Sequence, residues 1–197
     1  MRTQFRLITI NLIMVVIALF FYFQKNASAF DLQLMGDMTA AVKSPLDNQT
    51  AIAGGGTVRL AWEYAPDWNI TLTGSAYFFP TSTPGGVNPM TYAPTSGGMV
   101  SIIPVTVGVQ HIFARFVRKK YDFYGVLDGG GALEYNFGVG HSAPEPFVDG
   151  GLGFGTKEFF IEERAESMLN AFGSIPNSPS GPLLLFTTSI GVHFFQF

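Results

Sequence analysis

The chain has no cysteine. That excludes a disulfide framework, a thiolate nucleophile and any metal site built on sulfur. Charge is scarce as well, with Asp, Glu, Lys and Arg making up only 13% of 197 residues. Positive charge is the scarcer sign, 11 Lys and Arg against 14 Asp and Glu, so the basic face that nucleic-acid binding needs is missing. Beyond residue 29 no apolar run approaches the 18 or so residues of a membrane helix. A membrane barrel survives that exclusion, because its strands hide their hydrophobicity by alternation.

What is present divides at residue 29. Arg2 and Arg6 form a short basic region, Leu7 to Phe23 is a nearly unbroken apolar run, and Ala27-Ser28-Ala29 supplies the small-x-small pattern of a cleavage site. This is the layout of a secretory signal peptide, with cleavage expected between Ala29 and Phe30. An uncleaved anchor is the alternative, since a run of 17 residues lies at the lower limit for crossing a bilayer. Residues 30–197 are then one domain that keeps all 14 acids but 8 of the 11 basic residues, for a formal charge of −6.

This domain alternates. In FDLQLMGDMTAAVK (30–43) one parity reads Phe30, Leu32, Leu34, Gly36, Met38, Ala40, Val42 and the other Asp31, Gln33, Met35, Asp37, Thr39, Ala41, Lys43. TVRLAWEY (57–64) sets Val58, Leu60, Trp62 and Tyr64 against Thr57, Arg59, Ala61 and Glu63. A period of two with one apolar face is a half-buried strand. The same reading holds for 69–78, 101–113, 122–137, 146–155, 159–170 and roughly 183–197, making eight strands. Glu163 alone breaks the apolar side of its strand. Connections alternate too: 65–69, 114–121 and 156–158 are the shorter ones, while 44–55, 80–98, 138–145 and 173–182 are rich in Gly, Pro, Ser and Asn.

The polar parity carries Asp31, Asp37, Arg59, Glu63, Asp128, Glu134, Asp149, Glu162, Arg164 and Glu166. Facing lipid these charges would be costly; facing inward they can pair across a lumen. With Lys43, that gives three inward cations against eight acids. Two readings stay open, a plug of salt bridges and a narrow cation-preferring path, and the small bore of eight strands favours the plug. Trp62, Tyr64, Trp68, Phe78, Phe123 and Tyr135 fall near strand ends, as interfacial girdles do. The basic turn Arg115, Arg118, Lys119, Lys120 is expected beside lipid headgroups.

Signal peptide, eight alternating strands, loop asymmetry and a final SIGVHFFQF ending in Phe197 together resemble the small outer-membrane β-barrel family, typified by the OmpA transmembrane domain and the OmpX-like proteins. The resemblance spans residues 30–197 and implies an eight-stranded antiparallel up-and-down transmembrane β-barrel in the outer membrane. It implies contact with outer-membrane lipid and lipopolysaccharide, a monomeric state, and a terminal Phe197 read by the barrel-assembly machinery. His193 departs from it, standing where the family places an apolar residue. Either it lies at the interface or the last strand is out of step by one.

No motif here points to catalysis, a cofactor or a metal. LDGGGALEYNFGVG (127–140) lacks the strand–turn–helix setting and the GK[ST] of a phosphate loop, and its glycines suit a curved strand better. His141, Ser142 and Glu145 share one connection, but His141 and Ser142 are adjacent, unlike the His-x-Ser spacing of the barrel-shaped lipid A deacylases. His111 has no partner at ligand spacing. The expected role is therefore structural or surface-interacting, without enzymatic activity and without a nucleic-acid partner. A lipid-modifying enzyme and a narrow pore remain as alternatives.

Overall fold

The computed structural model describes residues 30–44, 51–81, 98–118, 120–136, 140–141, 144–171 and 181–196. The expected leader, its cleavage site at Ala29, and Phe197 lie outside the described residues, as does Ser142. Eight long strands follow one another: β1 (Phe30–Lys43), β2 (Ala51–Ala65), β3 (Trp68–Thr81), β4 (Gly98–Phe116), β5 (Tyr121–Asn136), β6 (Glu145–Gly155), β7 (Phe159–Ala171) and β8 (Gly181–Gln196). Gly140–His141 is a two-residue bridge to the end of β5 that extends the β5–β6 hairpin. Each strand pairs antiparallel with the next, and β1 pairs with β8, so the sheet closes into a barrel. The strands run longer than the sequence reading. Residues 51–55, expected in a loop, pair with Asp37 to Ala41 of β1, because two small alanines and two glycines let the ladder continue past the apolar stretch.

Exposure follows the pleat with a period of two: β7 reads eBeBeBeBiBeeB from Phe159 to Ala171. The sides are reversed relative to a protein folded in water. Leu127 is 65% exposed and Val107 58%, while Arg59 is 0% exposed inside. An outer face of Val, Leu, Ile and Phe that nothing covers is matched by hydrocarbon as solvent. Glu163 interrupts it, and Thr188 of β8 donates a hydrogen bond to its carboxylate at 3.0 Å. Trp62, expected in the girdle, is instead buried, with the Phe30 ring 5.8 Å away across the first pair of the β1–β2 ladder. Lys43 is exposed at the end of β1 and not in the lumen, since the β1–β8 ladder slips beside it.

Some inward positions are glycine because a large neighbour needs the space. A Cβ on Gly153 would lie 2.1 Å from the Tyr124 ring, and one on Gly191 2.2 Å from Phe160. Leu127, near the middle of β5 on the outer face, tests the inside-out order. Leu127→Arg is expected to destabilise the barrel by about 2–4 kcal/mol, read from unfolding titrations in lipid vesicles. A Leu127→Arg variant as stable as the parent would reverse the assignment of faces.

Candidate functional site

The lumen divides into three levels, two of them filled. In the middle, Arg59 of β2 reaches across to Glu162 of β7 with both guanidinium nitrogens, Nη1 to Oε2 at 2.7 Å and Nη2 to Oε1 at 2.8 Å. The planar fork of arginine matches both carboxylate oxygens, which a lysine could not do. Its Nε donates to Thr73 at 3.2 Å, and Asp128 stands 3.9 Å from Nη2. Arg164 lies on the other side of Glu162, 3.4 Å from Oε1, with Asp37 and Glu166 at 3.6 and 3.8 Å. Hydroxyls serve several of the other acceptors: Thr57 and Ser189 donate to Asp37 at 2.5 and 2.6 Å, Thr71 to Asp128 at 2.6 Å, Tyr77 to Glu166 at 2.8 Å. Asp149 is buried directly between Asp128 and Glu166 of the adjacent strands, and Glu134 is buried farther along β5.

Where the longer connections emerge, the loop end, the filling is mainly apolar, with the buried Glu134 standing across the strands from Ile102. Tyr77, Phe79, Val100, Ile102, Phe147, Met168, Leu183 and Leu185 form one buried apolar cluster. The sequence reading missed this level. Its one signal was aromatic and aliphatic side chains on the otherwise polar parity, Phe79 on β3, Phe147 on β6 and Met168 on β7.

Where the short turns lie, the turn end, the lumen opens into a cavity of about 330 Å³. Asp31 and Glu63, expected inside, line it, as does His193. A bulge resolves the question of the last strand. Leu32 pairs with Phe195 but Gln33 with His193, so Phe194 is the extra residue and lies exposed outside, while His193 turns inward. Its Nδ1 is 2.6 Å from Asp31 Oδ2, and its ring packs 4.9 Å from Phe160. Arg115, expected beside headgroups, is drawn to this rim by ion pairs to Asp67 and, at 3.5 Å, Asp122. Outside the rim, His111 stacks on Trp68 at 4.1 Å and meets the edge of Phe113 at 4.9 Å, so it belongs to an aromatic belt.

Among the described residues no cluster of His, Asp and Glu is arranged to hold a metal ion. Glu145 begins β6 and His141 lies in the bridge on β5, while Ser142 between them is outside the described residues.

A closed ring of eight antiparallel strands, apolar outside and ionic within, has the fold of the small outer-membrane β-barrels. Two solved structures show the likeness. Neisserial surface protein A (NspA) superimposes with a TM-score of 0.57 at 11% identity, over 84% of this chain and 97% of that one. Ail, the attachment invasion locus protein of Yersinia pestis, solved with the heparin analogue sucrose octasulfate, gives 0.51 at 13% identity over 86% and 98%. No family model matches the sequence, and no curated protein does.

The Arg59–Glu162 pair generates a test. Arg59→Met leaves a buried carboxylate without its main partner and is expected to cost about 3–5 kcal/mol. The double change Arg59→Met, Glu162→Met removes both charges and should recover most of that loss. Urea unfolding in vesicles measures both, and additive losses would mean the two side chains do not depend on each other.

Proposed function

We propose that this protein resides in the outer membrane with its turn end toward the periplasm, and acts through its outward loops as a non-enzymatic surface-interaction protein. The observation that carries this reading is the lumen, filled by the arginine–carboxylate level and then by the apolar cluster above it. A barrel packed in this way is a platform for its loops, and loops on a rigid scaffold are where binding specificity resides. NspA is a surface protein by name and Ail an attachment protein, which fits the same class. The connecting segments 45–50, 82–97 and 172–180 hold a single charged residue, Asp47. A sulfated ligand such as the one bound to Ail would find no cation in them, only Lys43 at the end of β1 beside them. The partner suited to these segments is an uncharged surface, contacted by Val87, Met90, Tyr92 and the prolines around them. Outer-membrane lipid and lipopolysaccharide surround the barrel, and the working form is a monomer.

Two experiments test this reading. Cells displaying the protein should attach to a target surface more than deletion cells do. Replacing 82–97 by a Gly-Ser linker should abolish the difference while the barrel still assembles. Attachment should persist as salt rises from about 0.05 to 0.5 M, a range over which charge-driven binding is screened. In planar bilayers the purified protein should give no conductance steps; regular steps would favour the pore reading.

Biogenesis supplies a second prediction. Deleting Phe197 removes one side chain, worth about 1.5–3 kcal/mol if fully buried. Refolding in detergent should survive that loss. In cells the truncated chain should fall sharply in the outer-membrane fraction, if the barrel-assembly machinery reads this residue. Equal levels for both chains would assign Phe197 to packing alone.

A further inference from the structure

In the middle level three carboxylates stand side by side. Asp128 of β5 pairs across the ladder with Asp149 of β6, and Asp149 with Glu166 of β7. All three point inward and are buried, with Asp149 3% and Glu166 0% exposed. Directly opposed residues of antiparallel strands hold their Cβ atoms about 5 Å apart, and like charges so placed repel. The cations do not relieve Asp149. Among the described residues, the ion pairs of Arg59 of β2 and Arg164 of β7 run to Asp37, Asp128, Glu162 and Glu166.

Hydrogen bonds distinguish the three. Asp128 has a donor on each oxygen, Thr71 on Oδ1 at 2.6 Å and Thr73 on Oδ2 at 3.4 Å. Glu166 has Tyr77 of β3 on Oε1 at 2.8 Å, while its Oε2 is buried without a hydrogen-bond partner. Asp149 Oδ1 is buried without one as well. The surrounding groups are turned elsewhere. Arg164 stands 3.8 Å from Glu166 on the side of Oε1, and Arg59 is forked onto Glu162. Thr187 of β8, diagonal to Glu166 across the ladder, meets the Thr39 hydroxyl at 2.9 Å, and Asp37 of β1 takes Thr57 and Ser189. Two cross-strand neighbours therefore each present one bare acceptor, withdrawn from water at a cost that a donor would recover. A carboxylate has no hydrogen to donate, whereas a carboxylic acid has an O–H. A single proton would serve both oxygens and remove one of the opposed charges.

We propose that Asp149 and Glu166 share one proton, held between Asp149 Oδ1 and Glu166 Oε2, and that this proton makes the plugged lumen sensitive to pH. A metal ion suits the row less, since the described residues gather no set of three His, Asp or Glu ligands. In the unfolded chain both carboxylates are ionised above about pH 5, so folding at neutral pH takes up a proton. The contribution is fully present in acid and is lost as pH rises, the folding constant falling about tenfold per pH unit while the pair keeps its proton. Once the proton has left, three opposed charges need water among them, and the level that closes the bore loosens.

The test begins with the unmodified mature chain, refolded in a detergent free of ester groups. Its infrared spectrum at neutral pH should show the C=O stretch of a carboxylic acid, shifted in heavy water. Asp149→Asn and Glu166→Gln should each remove that band, since an amide then donates where the proton did. Asp128→Asn should keep it. In vesicles, urea unfolding of the parent should follow pH more steeply than either amide variant, by about tenfold in the folding constant per pH unit. A parent without the band, a band kept in both amide variants, or equal pH slopes would each overturn the proposal. A band lost in Asp128→Asn but kept in Glu166→Gln would place the proton on the other neighbour and overturn the assignment. Stability at neutral pH that requires sodium and fails with choline would give the row to a metal cation, against the proposal. The attachment assay does not read this proton, so the surface role stands or falls separately.

Discussion

Everything in this molecule depends on closing the ladder between its first and last strands. A backbone amide facing hydrocarbon has no water to bond with, so an open sheet edge cannot persist at membrane depth. The β1–β8 pairing joins residues near Phe30 to residues near Gln196, and side chains reinforce the backbone there. Ser189 of β8 and Thr57 of β2 both hold Asp37 of β1, and the hydroxyls of Thr39 and Thr187 meet at 2.9 Å across the same seam. The seam is bonded on its inner face as well as along its backbone.

Closure fixes the bore, and the bore decides what the inside must be. Eight strands leave room for side chains and little else. The interior is therefore a matter of fitting. Arginines span it, Tyr124 and Phe160 lie over glycines, and apolar chains fill the loop end. Charge survives in so confined a space because each guanidinium meets carboxylates, and Asp37, Asp128 and Glu166 recruit hydroxyls. The excess of acids over arginines is not cancelled inside, and at the turn end it faces a cavity.

The strands and their faces were legible in the sequence because lipid is a strict solvent: it demands an apolar residue at every second position along most of each strand. Asp37, Arg59, Asp128, Asp149, Glu162, Arg164 and Glu166 could be placed inward from parity alone. Their partners could not, because Arg59 meets Glu162 only through the stagger and curvature of the closed ring, 103 residues apart in the chain. The inward Phe79 and Phe147 were illegible for the opposite reason. An aromatic residue on a barrel strand reads as outward unless its register is already known. The Phe-Phe of the last strand hid its bulge in the same way, since neither residue marks a face.

The crossing of the lumen by Arg59 also bears on how the barrel comes into being. Its carboxylate partners, Asp128 and the doubly bonded Glu162, belong to the fifth and seventh strands, so a chain with only its first two hairpins in place carries a guanidinium with neither of them. Such an intermediate cannot bring that face into hydrocarbon or into a dry interior. Water must accompany the growing sheet until β7 arrives, and it leaves as the two groups meet. Desolvation of the interior and completion of the ring are thereby coupled into one late, cooperative event, and a half-inserted barrel has no dry resting state in which to linger.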